Sequence, residues 1–82
     1  MKINLTNYKN NDNLLNELYH NIKRYETLKD EYYDEEIYRE IDNLEKTIFN
    51  KLVNAEFISA IYNLNKMKQL ISAFDTIVYN NY

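Results

Sequence analysis

Apolar residues in the last third of this chain fall at Ala60, Leu64, Met67, Ile71, Phe74 and Val78, in alternating steps of four and three. Such spacing holds one stripe on one side of a helix for about five turns, whereas a strand would scatter the same residues over both faces. Phe57, Ile61, Leu70 and Ile77 widen the stripe into the broadest apolar face in the sequence. The segment is therefore expected to be the helix most enclosed by its neighbours. Its regular a/d pattern also suits pairing with a second copy of itself, so these six residues are the candidate oligomer seam of a homodimer.

Two further stripes precede it. Leu15, Leu18, Ile22 and Tyr25, widened by Leu14 and Leu28, predict an amphipathic helix that starts after the Asn10-Asn11-Asp12-Asn13 cluster, whose side chains suit an N-cap. Ile37, Ile41, Leu44, Ile48 and Leu52, flanked by Phe49 and Val53, predict another. The two stripes are out of phase, because continuing the first would bury Glu36, Arg39 and Asn43. One residue of slip turns a helical face by about 100°, so a corner is expected at Lys29–Asp34 with Asp30 or Asp34 as the next cap. Near Asn54 the phase is nearly continuous. A break there, with Asn54 in the left-handed region, is favoured over one helix from Asp34 to Tyr79, which would run for about 69 Å and need a partner chain to cover it. At the start, Met1, Ile3 and Leu5 alternate with polar residues, which predicts an extended arm over residues 1–9. The expectation is an all-α single domain, a small three-helix bundle or long helical hairpin, with helices at about 12–29, 34–53 and 55–79.

The chain must make these corners without the usual residues, for its 82 positions include no Gly, Pro, Cys or Trp. Without glycine there is no phosphate-cradling loop or dinucleotide fingerprint, since both bring backbone close to a phosphate. Without cysteine there are no disulfides, thiolate nucleophiles or Cys-ligated zinc, and the one histidine builds no metal site alone. A domain this short buries only about 60–65% of its unfolded surface, which leaves little room for an enclosed active site. Residues Met1 to Tyr8 lack the apolar core of a signal peptide, and no stretch approaches a membrane span, so a cytoplasmic protein is expected.

Charge is placed unevenly. Residues 26–45 carry nine of the thirteen acids against Lys29 and Arg39, a net −7, while the remainder carries +4, so the overall −3 conceals a dipolar molecule. Tyr25, Tyr32, Tyr33 and Tyr38 lie in or beside the acidic block, and tyrosine suits interfaces because its large face loses little entropy on fixing. Glu35 with Arg39 and Asp42 with Lys46 make favourable i, i+4 pairs, which leaves the other acids to repel one another. Such a field attracts a basic groove. The candidate partner-binding residues are Asp30, Glu31, Tyr32, Tyr33, Asp34, Glu35, Glu36, Tyr38 and Glu40, and the expected partner is a protein with a basic, nucleic-acid-binding surface.

In size, in its Tyr-, Asn- and Glu-rich composition typical of AT-rich DNA, and in the bunching Asp30-Glu31-Tyr32-Tyr33-Asp34-Glu35-Glu36, the chain resembles the small anti-CRISPR and anti-defence inhibitors of phages and mobile elements. The resemblance implies an inhibitor that blocks a nuclease's nucleic-acid channel by acidic mimicry, in the cytoplasm of a bacterial host. The alternative is a structural helical module that works by homo-oligomerisation. Glu17-Leu18-Tyr19-His20 has the Glu-x-x-His spacing of di-iron bundles, but in one copy and with His20 facing away from the stripe, so no metal, cofactor or catalytic residue is assigned.

Overall fold

The computed structural model describes residues 2–80, with side chains from Asp12 to Asn80; Met1, Asn81 and Tyr82 lie outside the described residues. Three helices, α1 (Lys2–Glu31), α2 (Glu35–Val53) and α3 (Phe57–Asn80), form an all-α bundle with extents of 51 × 17 × 16 Å. α1 and α3 run side by side in the same direction. Arg24 meets Asp75 at 3.0 Å and Lys68 donates to Glu17, two cross-pairs with the same offset of 51 residues.

The core is the predicted one on α3. Ala60, Leu64, Met67, Ile71, Phe74 and Val78 are all buried, at 0–5% exposure, against Leu14, Leu18 and Tyr25 of α1 and Ile41, Ile48 and Leu52 of α2. This corrects the expectation of an oligomer seam, because a face covered by two helices of its own chain has nothing left to present to a second copy. On α1 the buried line is Leu14, Leu18, Asn21 and Tyr25, with Leu15 and Ile22 at its flank, so the stripe is turned slightly from the expected one and encloses an asparagine. Asn21 donates its side-chain amide to the Glu17 carbonyl at 2.7 Å, which supplies a partner the apolar surroundings cannot.

The first corner lies where the phase slip placed it. Tyr32, Tyr33 and Asp34 connect α1 to α2, and Asp34, with extended backbone, caps α2 by accepting from the Ile37 amide at 3.1 Å through Oδ1. Glu35 and Glu36 follow in the first turn, where carboxylates suit the positive end of the helix dipole. At the second corner the break is real and no single helix spans residues 34–79. Its left-handed residue, however, is Ala55, at φ 60°, and not Asn54, at φ −89°. The Ala55 amide bonds the Leu52 carbonyl at 3.1 Å and the Glu56 amide bonds the Lys51 carbonyl at 2.8 Å, which is a Schellman motif. Position sets the conformation here: the residue after the C-cap takes φ > 0, whatever its type.

The extended arm expected over residues 1–9 is replaced by helix from Lys2. A lone strand leaves its backbone donors and acceptors without a partner sheet, whereas a helix satisfies its own. The Asn10–Asn13 cluster is crossed without a break, since asparagine inside a helix costs only about half a kcal/mol each relative to alanine.

Candidate functional site

The acidic residues gather around the α1–α2 corner, and the structure sorts them by task. Asp34 is half-buried and holds the cap, and Glu35 is bound to Arg39 at 2.6 Å. Tyr32 leans inward, its ring 6.2 Å from that of Phe74, so of the three exposed corner tyrosines it is the one anchored to the core. Tyr33 and Tyr38 lie ring against ring at 5.8 Å, and Lys29 sets its ammonium 5.3 Å from the Tyr38 centroid. Asp30, Glu31, Glu36 and Glu40 remain: all four are exposed, and none makes an ion pair among the described residues. Glu36 and Glu40 share one side of α2 and flank an open groove of about 450 Å³ with Arg39 and Asn43. The corner therefore presents exposed carboxylates beside two half-exposed phenol rings next to the Asp34 cap.

A second acidic feature was not apparent from the residue pattern. Between α1 and α2 lies a cleft of about 130 Å³, with Tyr25, Glu26, Lys29, Tyr38, Asp42 and Glu45 around it and Ile22 and Ile41 at its apolar wall. Glu45 stands four residues after buried Ile41 and three before buried Ile48, next to half-buried Leu44, so it lies half-buried at the edge of the α2 stripe. Burial pushes its carboxyl above the usual range, with Asp42 and Glu26 adding to the effect and Lys46 opposing it. Tyr25 is 3% exposed and packs against Phe74 at 5.8 Å, yet its hydroxyl has no hydrogen-bond partner among the described residues. Burial pushes that hydroxyl from 10.0 to about 12, helped by Tyr33, Tyr38 and Asp34. The stripe alone does not single out Glu45, because Leu44 fills the apolar position between Ile41 and Ile48 and Glu45 lies at the edge beside it.

Glu17 and His20 do not form a site together: the Glu17 carboxylate accepts from Lys68 on α3, while His20 is exposed. No cluster of three or more His, Cys, Asp or Glu residues suited to a metal ion occurs among the described residues. No helix of the described residues is long and apolar enough to cross a membrane.

No protein-family model, curated protein or solved structure matches this chain.

Proposed function

We propose that this is a non-enzymatic binding protein whose acidic, tyrosine-bearing corner docks on the basic nucleic-acid-binding surface of a partner protein and blocks it, in the manner of the anti-CRISPR inhibitors that the sequence resembles. One observation carries the reading: Asp30, Glu31, Glu36 and Glu40 stand exposed, with no ion pair among the described residues, at the corner that also holds Tyr33 and Tyr38. Uncompensated like charges at one corner repel and lower stability, and carboxylates held on a helix can take the place of phosphates on a Lys/Arg surface. The tyrosines add contact area that loses little entropy on docking.

The test reverses charge at residues that hold neither a cap nor an ion pair among the described residues, of which only Glu36 adds a first-turn dipole effect, about 0.3–1 kcal/mol. Asp30, Glu31, Glu36 and Glu40 are changed together to Lys, and Asp34 is kept because it caps α2. Heparin-retained nucleic-acid-binding proteins of the native host form the pool to be probed. The native chain is expected to hold a subset that nucleic acid displaces, and the reversed chain to lose it while its helical circular dichroism is unchanged. Equal retention by both chains at low salt would sink the reading.

A second reading, self-assembly, has its own observation. Val53, Ile58 and Tyr62, near the α2–α3 corner, are 67%, 87% and 64% exposed, which is unusual for large apolar side chains. Sedimentation equilibrium separates the two, since a monomer at every concentration removes self-assembly and leaves acidic docking untouched.

A further inference from the structure

The inner line of α3, from Ala60 to Val78, is covered by α1 and α2, and neither covers the outer line. Ile58, Tyr62, Asn65, Gln69, Ala73 and Thr76 follow one another along that outer side at steps of four and three, and all are exposed. None carries a charge. Of the three charged residues in α3, Lys68 and Asp75 turn to α1, where Lys68 donates to Glu17 and Asp75 accepts from Arg24. The third, Lys66, lies at the rim, its ammonium 5.5 Å from the centre of the Tyr62 ring. Loss of charge together with aromatic side chains marks the centre of a protein interface rather than a surface that faces water alone.

Area, symmetry and charge together choose the occupant. Ile58, Ile61, Tyr62 and Tyr79 are 87%, 41%, 64% and 79% exposed, which at roughly 200 Å² per large side chain is about 550 Å² in each copy. Two copies bring about 1,100 Å², and Asn65, Gln69, Ala73 and Thr76 between them carry the total past the ~1,200 Å² at which specific interfaces begin. Gln69 lies near the middle of the line, while Ile61 and Tyr79, separated by five whole turns, share one side of it. Turned end to end about Gln69, each copy lays Ile61 opposite the other's Tyr79 and Gln69 against Gln69. A face that matches itself under a two-fold rotation closes into a dimer and stops there. Charge fixes the direction: parallel copies would set two segments of net −7 side by side, whereas end-to-end pairing sends them to opposite ends of a molecule 51 Å long. We infer that a second copy of this chain covers the outer face of α3, in an antiparallel two-fold dimer centred on Gln69. The inference gives the self-assembly reading a surface and a symmetry, and it is independent of acidic docking, since both acidic corners lie outside the contact.

Sedimentation equilibrium of the full chain from about 1 µM to about 1 mM is expected to show the mass rise from 10.0 kDa toward twice that value, with a dissociation constant of about 10–100 µM for so small an area. Gln69→Glu sets two carboxylates against each other at the axis and is expected to weaken the dimer at least about tenfold with helical circular dichroism unchanged. Gln69→Lys is expected to do the same, and an equimolar mixture of the two to associate about as well as the native chain. Tyr19→Ser, exposed on α1 and turned from α3 by its two-residue step from Glu17, is expected to leave the dimer within about twofold. The chain has no cysteine, so disulfide trapping reads direction: Asn65→Cys and Ala73→Cys, at equal steps to either side of Gln69, are expected to cross-link under mild oxidation about fivefold faster as a mixture than either does alone. Self-linking of either variant as fast as the mixture overturns the antiparallel dimer. Association that ignores Gln69→Glu and fails with Tyr19→Ser also overturns it, while the self-assembly reading stands. A monomer at every concentration removes both and leaves the docking reading untouched.

Discussion

Ala55→Gly should make this protein more stable, although glycine usually weakens folded chains. Ala55 stands at φ 60° in the Schellman motif, and the left-handed region costs an L-residue with a Cβ roughly 1–2 kcal/mol. Glycine removes that strain but adds about 0.4–1 kcal/mol of unfolded-state entropy to be lost. The residue is exposed, so no packing disappears with the methyl group, and the bonds from Ala55 to Leu52 and from Glu56 to Lys51 use only backbone atoms. The Lys51–Glu56 pair at 3.5 Å, across the same motif, is likewise unaffected. The net is a gain of about 0.5–1 kcal/mol, or about 2–8 °C in melting temperature for a domain of this size. Thermal unfolding followed by circular dichroism at 222 nm measures it. Ala55→Val is the opposing control, since a branched Cβ at φ > 0 should lower the midpoint by at least as much. A lower midpoint for the glycine variant would refute the argument that position imposes strain at Ala55.

The remaining expectations concern the acidic end. Tyr25→Phe keeps the ring against Phe74 and deletes the unpartnered hydroxyl, so urea denaturation at pH 7 should show a gain of about 1 kcal/mol. The same variant should unfold less readily in alkali: a hydroxyl raised to about 12 gives stability that is complete below pH 10 and lost as pH rises through 12, about 2–3 kcal/mol in all, and phenylalanine has none of it to lose. Glu45 has its carboxyl raised above 4.5, so the fold favours the protonated form. Its contribution is present in acid and lost as pH rises through the folded value, which means that Glu45→Gln should exceed the parent in stability at pH 7 and match it below pH 4, as read by denaturation at both pH values. Amide hydrogen exchange should protect α3 from Ala60 to Val78 more than the α1–α2 corner, because α3 carries six buried apolar residues and α2 three; equal protection would contradict that ranking.

Most of the fold was legible because helical phase needs no special residue to be read. The slip between Tyr25 and Ile37 marked the first corner even though no glycine or proline lies near it, and Asp34 caps α2 as its type and place suggest. The second corner was harder to read for the same reason in reverse. Phe49, Val53, Phe57, Ala60 and Leu64 keep phase across it, so only the backbone geometry at Ala55 separates α2 from α3, and alanine gives no sign of φ > 0. The N-terminal alternation misled because period two is a weak signal over eight residues when no second strand exists to pair with.

Charge and core compete for α2, and that competition explains why the corner was legible and the cleft was not. The acidic block could be counted along the sequence, but counting treats Glu36, Glu40 and Glu45 alike. Packing separates them: the first two lie exposed on the outer face, while Glu45 is half-buried at the edge of the stripe and borders the α1–α2 cleft. Tyr25 counted as core, as its ring is, yet it carries one hydroxyl into the interior with no hydrogen-bond partner among the described residues. Both residues cost the fold free energy, the phenol because its buried hydroxyl is unpaired and the carboxylate because burial disfavours its charge. α3, uniformly apolar on its inner face, fixes the other two helices from behind and lets the bundle tolerate that cost. Removing the hydroxyl at position 25 or the charge at position 45 should therefore stabilise the fold without altering the apolar contacts that α3 provides.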